Sequence, residues 1–419
     1  MKKLWKTLLV LGVAFSLVAC SGNKTETSEK KETETTETTE TKETPETKET
    51  PEAPDTNGTA SSGDTIKIGA LQDITGKTAT LGKMIQAGAQ YAIDEINAAG
   101  GVNGKKLELI TRDTTGDVTE AINAFTLLAT QDGVSAIIGP PVANIGLAIA
   151  PLSEQYNVPI LGFAIDTAVL QNKDGVTYKN MFLFQPSDDQ QGAIMAKYAI
   201  DELSSKKIGA IYRSDNAYSL GLVDGFKSYL SESGSDAKIV QEVQFTATDT
   251  DFSTMLMKLM NAGADVIYAP NYTQELITIA QQARAVGYTG PIIMGLDAAP
   301  PFASLAGAAS NNVIYINNIT ESEPKVAEIM EKYKAETGAD ATNKFFLGYD
   351  VVNILADTIT EVGEDSVAIR DAVEKLTGYE GLTGIISINP ENHQPQGLEM
   401  YIHEIKDGQS VMIKQYSAE

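Results

Sequence analysis

The stretch AIDEINAAGGVNGKKLEL, residues 92–109, predicts the end of a helix, a turn and the start of a strand. Its apolar residues continue the helical spacing of the preceding run KMIQAGAQY, and the pair Gly100-Gly101 predicts where that helix stops. The next run, KLELITRD, is typical of a strand, as is IKIGAL at 66–71. A strand, a helix and a second strand in this order predict a parallel pair joined by a right-handed crossover.

The same alternation of short aliphatic runs and amphipathic runs continues along the chain. Further strands are predicted from the runs VSAIIGP, VPILGFA, KIGAIYR, DAKIVQEVQF, ADVIYAPN and GPIIMGLD. Helices are predicted at 144–156, 188–203, 218–233, 253–263 and 274–287, and then at 323–337, 345–362 and 367–376. A hairpin turning at Asp407-Gly408 ends the chain. So many strands favour an α/β fold of two doubly wound lobes with parallel sheets.

The N-terminal residues have a different composition from the rest. A basic start and an apolar run from Leu8 to Val18 have the layout of a secretory signal peptide, which is too short for a comfortable membrane span. Cys20, the only cysteine in 419 residues, follows directly. Because this layout resembles the bacterial lipobox, residues 1–19 are interpreted as a lipoprotein signal peptide and Cys20 as the lipid attachment point. An ordinary signal peptide with an incidental cysteine is the alternative.

A long polar segment follows Cys20. From Lys24 to Asp55 the chain consists almost entirely of Thr, Glu, Lys and Pro. Such a segment cannot bury enough apolar surface to offset the entropy lost on ordering, and its excess of acids makes it self-repelling. Residues 20–64 are therefore predicted to be a lipidated cysteine followed by a disordered spacer.

The composition excludes several classes of function. The net charge of −24 makes the chain a poor partner for nucleic acid. The sequence has no G-x-S-x-G, phosphate-binding loop, HExxH or CxxC motif, and its two histidines lie at 393 and 403, far from the single cysteine. A binding protein rather than an enzyme is expected, with no metal and no cofactor.

The folded body, residues 65–419, resembles a known family. The runs that carry the resemblance are IKIGALQDITGKTATLG, GAQYAIDEINAAGGVNGKKLELITRD, PSDDQQG, DFSTMLMKLMNAGADVIYAPNY and QQARAVGYTGPIIMGLD. They are similar to the extracellular solute-binding proteins of ABC importers in the branched-chain amino acid binding family. This implies a type I periplasmic-binding-protein fold, with two lobes joined by a three-segment hinge. By that pattern the N-terminal lobe comprises 65–186 and 318–388, and the C-terminal lobe 187–317 and 389–419.

Polar and aromatic residues follow several predicted strands, at the edge where open parallel sheets bind ligands. The resemblance implies that Tyr218 and Tyr272 close over the ligand and that Asp297 holds its α-ammonium group. It also implies that Ala164 offers a backbone contact and that Leu81 stands where an aromatic residue is often found.

Two positions depart from the family pattern. Ala143 stands where a serine usually receives the ligand carboxylate, and Asn144 next to it is an alternative donor. Asp166 stands where Ser or Thr is usual, with Thr167 one residue late. An aspartate about 4 Å from a ligand carboxylate would be repelled by roughly 4 kcal/mol at an effective dielectric constant near 20. Asp166 therefore points away, is protonated, or the ligand is not a plain zwitterionic analogue of leucine. Such a ligand would present positive charge to both Asp166 and Asp297, or an ammonium to Asp297 and a neutral donor to Asp166.

The expected function is the capture of an amino acid or a related small amine by hinge closure. The protein is expected to be a monomer on the extracellular face of a Gram-positive cell membrane, held by its lipid, and to deliver the ligand to an ABC permease and ATPase. A ligand-sensing receptor module of the same fold is the alternative, and a cell-surface enzyme is the least favoured class.

Overall fold

The computed structural model describes residues 65–417. The sequence predictions for the signal peptide, Cys20 and the spacer lie outside this range. Within it, no helix combines the length and the apolar character that a membrane crossing requires.

Strands and helices alternate through most of the described chain. The first part contains β1 (Thr65–Gln72), α1 (Ala79–Ala98), β2 (Lys106–Asp113), α2 (Val118–Leu127), β3 (Ala136–Ile138), α3 (Ala143–Tyr156), β4 (Ile160–Gly162) and β5 (Met181–Leu183). The middle part contains α4 (Asp188–Asp201), β6 (Lys207–Arg213), α5 (Ala217–Glu232), β7 (Lys238–Phe245), α6 (Ser253–Asn261), β8 (Val266–Tyr268), α7 (Thr273–Ala285), β9 (Ile292–Met294), α8 (Phe302–Ala306) and β10 (Val313–Asn317). The last part contains α9 (Pro324–Thr337), α10 (Asn343–Val362), α11 (Ser366–Val373), β11 (Tyr379–Gly381), β12 (Gly384–Ile388), β13 (Pro395–Gln396), β14 (Glu399–Lys406) and β15 (Gln409–Ser417).

The first lobe is built on a parallel sheet in the order β2-β1-β3-β4-β5. Successive residues of a strand point to opposite faces, and both faces are apolar because both are covered by helices. Ile66 and Ile68 pack with α1, α10 and α11 on one face. Ile137 and Ile160 pack with α2 and α3 on the other face.

The second lobe is built on a larger sheet in the order β15-β14-β10-β9-β8-β6-β7. Its inner strands are parallel, whereas β14 and β15 form an antiparallel hairpin that turns at Asp407 and Gly408, both with positive φ. Helices α4 and α5 cover one face, and α6, α7 and α8 cover the other. The prediction of two α/β lobes with parallel sheets is therefore confirmed, and the terminal hairpin turns where the Asp-Gly pair places it.

The chain passes between the lobes after β5, after β10 and after β13. The third crossing follows residue 396, whereas the sequence pattern places the boundary between the lobes at residue 388. Strand β13 pairs with β12 through Pro395 and Ile388. His393 stacks on Phe182 with ring centroids 4.3 Å apart, and its Nδ1 lies 2.9 Å from the carbonyl oxygen of Met181. Residues 389–396 therefore pack on the first lobe.

Candidate functional site

A cavity lies between the two lobes, at the carboxyl ends of their strands. It encloses about 310 Å³ of empty space, counted with its opening to solvent. The first lobe contributes Leu81, Ile85, Pro141, Phe163, Ile165, Gln185, Lys344 and Leu347, and the second contributes Tyr218, Tyr272, Leu296 and Asp297. A mostly apolar wall with a few polar groups is typical of a site for a small organic molecule.

The loop between β1 and α1 places Leu81 in the wall. The carboxylate of Asp73 accepts hydrogen bonds from the backbone N–H groups of Gly76 and Thr78 at 2.6 and 2.8 Å, which holds the loop against the start of α1. Gly82 permits this approach, because a Cβ at its position would lie 2.1 Å from the carbonyl oxygen of Asp73. Any larger residue there would push the loop, and Leu81 with it, away from the cavity.

A close helix crossing positions the residues of α10. A Cβ on Gly88 of α1 would lie 1.8 Å from the carbonyl oxygen of Phe345, and a Cβ on Gly348 of α10 would lie 2.0 Å from that of Ile85. The two glycines therefore let the helix backbones touch. This contact brings the first turn of α10, with Lys344, to the same wall as the first turns of α1.

An aromatic pair forms the opposite wall. The rings of Tyr218 and Tyr272 stack with centroids 4.6 Å apart and planes inclined by 12°. Asn216 caps α5 by accepting a hydrogen bond from the N–H of Tyr218 at 2.9 Å. Neither tyrosine hydroxyl makes a hydrogen bond of normal geometry within residues 65–417. Burial and then the nearby Asp297 carboxylate raise the pKa of both tyrosines, so both hydroxyls are protonated.

Asp297 and Lys344 place opposite charges on opposite walls. Their side chains are 7% and 11% exposed, and the Asp297 Oδ1 lies 4.0 Å from the Lys344 Nζ, too far for a hydrogen bond. Burial lowers the pKa of Lys344, and Asp297 opposes that effect. At an effective dielectric constant near 20, two such charges attract each other by about 4 kcal/mol. The pair joins the lobes electrostatically without a hydrogen bond between the two groups.

A second compartment adjoins the first at the N-terminus of α10. It shares Leu81, Leu296, Asp297 and Lys344 with the first compartment, and its other lining residues are Thr80, Met84, Thr273, Ala299, Pro300, Pro301, Thr342 and Asn343. The Thr342 Oγ1 and the Asn343 Nδ2 are buried with no hydrogen-bond partner in the described part of the chain. Two polar groups without a hydrogen-bond partner thus lie beside Lys344, where α10 begins.

The structure brings together four of the residues singled out from the sequence. Leu81, Tyr218, Tyr272 and Asp297 all line the cavity. Ala164 lies just behind the wall, between the lining residues Phe163 and Ile165, and is 2% exposed.

Ala143 and Asn144 do not line the cavity but lie in a contact between the lobes. Ala143 is buried in an apolar cluster with residues of the second lobe. The Asn144 Oδ1 accepts a hydrogen bond from the N–H of Ala217 at 3.1 Å, and its Nδ2 donates to the carbonyl oxygen of Asp215 at 3.5 Å. The amide of Asn144 is therefore engaged in joining the lobes, and the methyl group of Ala143 offers no donor.

Asp166 and Thr167 also lie outside the cavity wall. The Asp166 carboxylate accepts a hydrogen bond from the N–H of Ala168 at 2.9 Å and caps the short turn Thr167–Leu170. It faces Asp189 rather than Asp297, and burial together with Asp189 raises its pKa. Asp166 and Asp297 therefore do not face the same part of the cavity. The carboxylate of Asp166 is turned towards its own loop, because it caps the turn that follows it.

Sequence reasoning missed Lys344. A signal was present: KFFLGYDVV places a lysine at the start of an apolar helix, where the positive end of the helix dipole disfavours a cation. A buried lysine in that position needs an anion nearby, and the fold supplies Asp297 from a distant part of the sequence. Across residues 65–417, no group of three or more His, Cys, Asp or Glu side chains is arranged to hold a metal ion.

Comparison with known proteins agrees with this geometry. The family model described as periplasmic binding protein matches residues 65–409. The leucine-, isoleucine-, valine-, threonine- and alanine-binding protein of Pseudomonas aeruginosa is 28% identical over 328 residues, which cover 77% of this chain and 85% of that protein. The Leu/Ile/Val-binding protein homolog 3 of Brucella melitensis is 26% identical over 329 residues, which cover 77% of this chain and 86% of that protein.

A solved structure shows the same fold. The branched-chain amino acid transporter substrate-binding protein LivJ of Streptococcus pneumoniae, in complex with isoleucine, superposes with a TM-score of 0.76 at 28% identity. The match covers 84% of this chain and 99% of that one. The expectation of a solute-binding protein rather than an enzyme is confirmed by these relatives.

Proposed function

Since the chain belongs to the periplasmic binding protein family, we propose that it captures an amino acid in the cleft between its two lobes. The observation that carries this proposal is the composition of the cavity wall. Asp297 supplies a buried carboxylate for an ammonium group, beside the hydroxyls of Tyr218 and Tyr272. The apolar residues around them, such as Ile85 and Leu347, suit a short aliphatic side chain.

The charge balance of the cavity favours an amino acid over a polyamine. A ligand with several positive charges would meet the Lys344 ammonium on the first-lobe wall. It would also find only one carboxylate among the lining residues, because Asp166 faces its own loop. Repulsion by the buried lysine therefore disfavours cations without a negative group of their own.

A ligand in this cavity would contact both lobes, and such contacts favour closure of the cleft. A ligand that touches Asp297 and Tyr218 on one wall and the first-lobe residues on the other stabilises the closed state over the open one. The Asn144 contact with Ala217 joins the lobes in the described structure and adds to the same preference.

We further propose that the protein works at the outer face of the cell membrane and delivers its ligand to an ABC permease and ATPase. Cys20 would carry the lipid and residues 21–64 would act as the spacer. The motive is the position of the only cysteine after a basic and apolar leader. Two or more acyl chains would give the stable anchoring that one chain does not.

A thermal-shift screen of the purified protein tests ligand capture. The panel contains the twenty amino acids, polyamines such as putrescine and spermidine, and simple alkylamines. An amino acid at about 100 times its dissociation constant adds about 2.7 kcal/mol to the free energy of unfolding, which is a clear rise in Tm. A rise with aliphatic amino acids supports the proposal. A rise only with polyamines, or with no amino acid, rejects it.

A further inference from the structure

We propose that the start of α10, with Lys344, Asn343 and Thr342, forms a subsite for the carboxylate of the bound ligand. The inference rests on the proposed function, since it assigns one end of the amino acid to a surface that carries no assigned role. Together with Asp297, this subsite makes the cleft selective for a molecule that carries both charges.

The first observation is the state of the Lys344 ammonium. The residue is 9% exposed, and its ion pair with Asp297 is too long for a hydrogen bond. Its nearest opposite charge, on Asp297, is 4.0 Å away. A buried ammonium with unused donors is costly unless an anion fills the remaining positions. A carboxylate is the anion that an amino acid brings.

The second observation is the neighbouring polar groups. The Nδ2 of Asn343 and the Oγ1 of Thr342 are buried without a partner in the described chain, and both residues line the compartment next to Lys344. Asn343 is 2% exposed and Thr342 is 8% exposed. Buried donors are normally paired, so two groups without a partner beside an ammonium whose ion pair is too long for a hydrogen bond indicate a missing acceptor.

The third observation is the helix itself. Helix α10 is 20 residues long, and the side chain of its N-cap residue, Thr342, makes no capping hydrogen bond. The first backbone N–H groups of a helix lack partners within it, and the positive end of the helix dipole favours an anion there. The same dipole makes this position unfavourable for Lys344 alone, so a bound carboxylate would relieve both conflicts.

The spacing of the two charged residues fits an α-amino acid. An ammonium and a carboxylate on the same carbon atom lie side by side, and the Asp297 and Lys344 charges also lie side by side across the cleft. Each ligand group can therefore face its opposite charge at once. No other residue of the described wall offers a cation, and the amide of Asn144 is already engaged between the lobes.

A purely structural role for Lys344 makes a different prediction. If Lys344 only neutralised Asp297, its removal would change the binding of every ammonium ligand by the same factor. If it binds the carboxylate, its removal changes only ligands that carry one. The ratio between an amino acid and its decarboxylated amine distinguishes the two roles.

The experiment is calorimetric titration of the full chain with leucine, isopentylamine and isocaproate, which are the zwitterion and its two halves. The variants are Lys344→Met, which keeps the length of the side chain, and Lys375→Met, an exposed lysine of the same lobe, as the matched control. The wild type and the control should bind leucine at least about 100-fold more tightly than isopentylamine. In Lys344→Met this preference should fall below about tenfold through weaker leucine binding, with isopentylamine bound no more weakly than before.

An unchanged preference for leucine over isopentylamine in a folded Lys344→Met protein would overturn the carboxylate subsite and leave the proposed function intact. If the wild type binds none of the three compounds and no other amino acid, the proposed function fails and the subsite fails with it. Thr342→Val provides a second variant should Lys344→Met not fold, because the Thr342 side chain does not cap the helix. It should weaken leucine about threefold to tenfold and leave isopentylamine unchanged. Equal losses for both compounds would contradict the assignment.

Discussion

Replacing Asp188 by Asn should remove much of the pH dependence of folding stability. Asp188 is the first residue of α4 and is 3% exposed, packed so closely on α5 that a Cβ on Gly221 would lie 1.8 Å from its Oδ2. Burial, and then the charges of Asp166 and Asp189, raise the pKa of Asp188 to about 8. The folded protein therefore holds a proton on this carboxyl at neutral pH.

The sign of the effect follows from proton linkage. In the unfolded chain an aspartate titrates near pH ~3.9, so from about pH 4 to pH 8 the folded state binds a proton that the unfolded state has released. The stabilisation is complete below about pH 4 and is lost as the pH rises towards the folded pKa of about 8. Over these roughly four pH units, at about 1.4 kcal/mol per unit, the upper limit is about 6 kcal/mol. Structural relaxation around the ionised carboxylate reduces this contribution. We therefore expect the free energy of unfolding to fall by about 2–5 kcal/mol as Asp188 ionises.

Urea unfolding at about pH 5 and at about pH 8 measures this difference. The wild type should lose about 2–4 kcal/mol more than Asp188→Asn over that interval. Asp174→Asn removes the same charge at an exposed site and should behave like the wild type. Asp166 and Asp189, whose pKa values burial also raises, remain in the variant, so some dependence should persist. Equal losses in the wild type and Asp188→Asn would refute the reasoning.

Three further predictions concern anchoring, folding and closure. Cys20→Ser should release the protein from membranes, checked by cell fractionation and by the mass of the mature chain; an unchanged distribution and mass would count against the lipid. Gly348→Ala should lower the free energy of unfolding by about 2–3 kcal/mol, because the added methyl group would clash with the carbonyl oxygen of Ile85. An unchanged Tm in thermal unfolding would contradict the close contact between α1 and α10. Asn144→Ala should weaken leucine binding about fivefold, which corresponds to about 1 kcal/mol for the loss of its inter-lobe hydrogen bonds to Ala217 and Asp215, with the ligand contacts intact. Unchanged affinity would show that these contacts do not favour closure.

The alternation of strands and helices could be predicted from the sequence because the apolar periodicity is strong in most elements. The helix predicted at 144–156 is Ala143–Tyr156 in the structure, and the one predicted at 274–287 is Thr273–Ala285. Strands β5 and β10–β13 were not predicted. They are two to five residues long, so periodicity has too few positions to act on, and the pairing of β13 with β12 depends on tertiary contacts.

The sequence predicted the cavity residues that come after strands, and it did not predict Lys344 at the start of α10. Tyr272 and Asp297 directly follow β8 and β9, so the rule for parallel sheets places them at the cleft. Lys344 belongs to a helix far along the chain, and only the packing of Gly88 and Gly348 brings it to the same wall. Asn144 follows β3 as the rule requires, but its amide is engaged by Ala217 of the other lobe, a contact that no local pattern specifies.

The most direct test of amino-acid capture in the cleft is calorimetric titration of the wild type and Asp297→Asn with leucine. Asn keeps the shape of the side chain and removes the charge that would face the ligand ammonium. The wild type should bind one leucine per chain, and the folded variant should bind it at least about 30-fold more weakly, which corresponds to about 2 kcal/mol. Equal affinities in the two proteins would contradict the account, because leucine would then bind without its ammonium at Asp297.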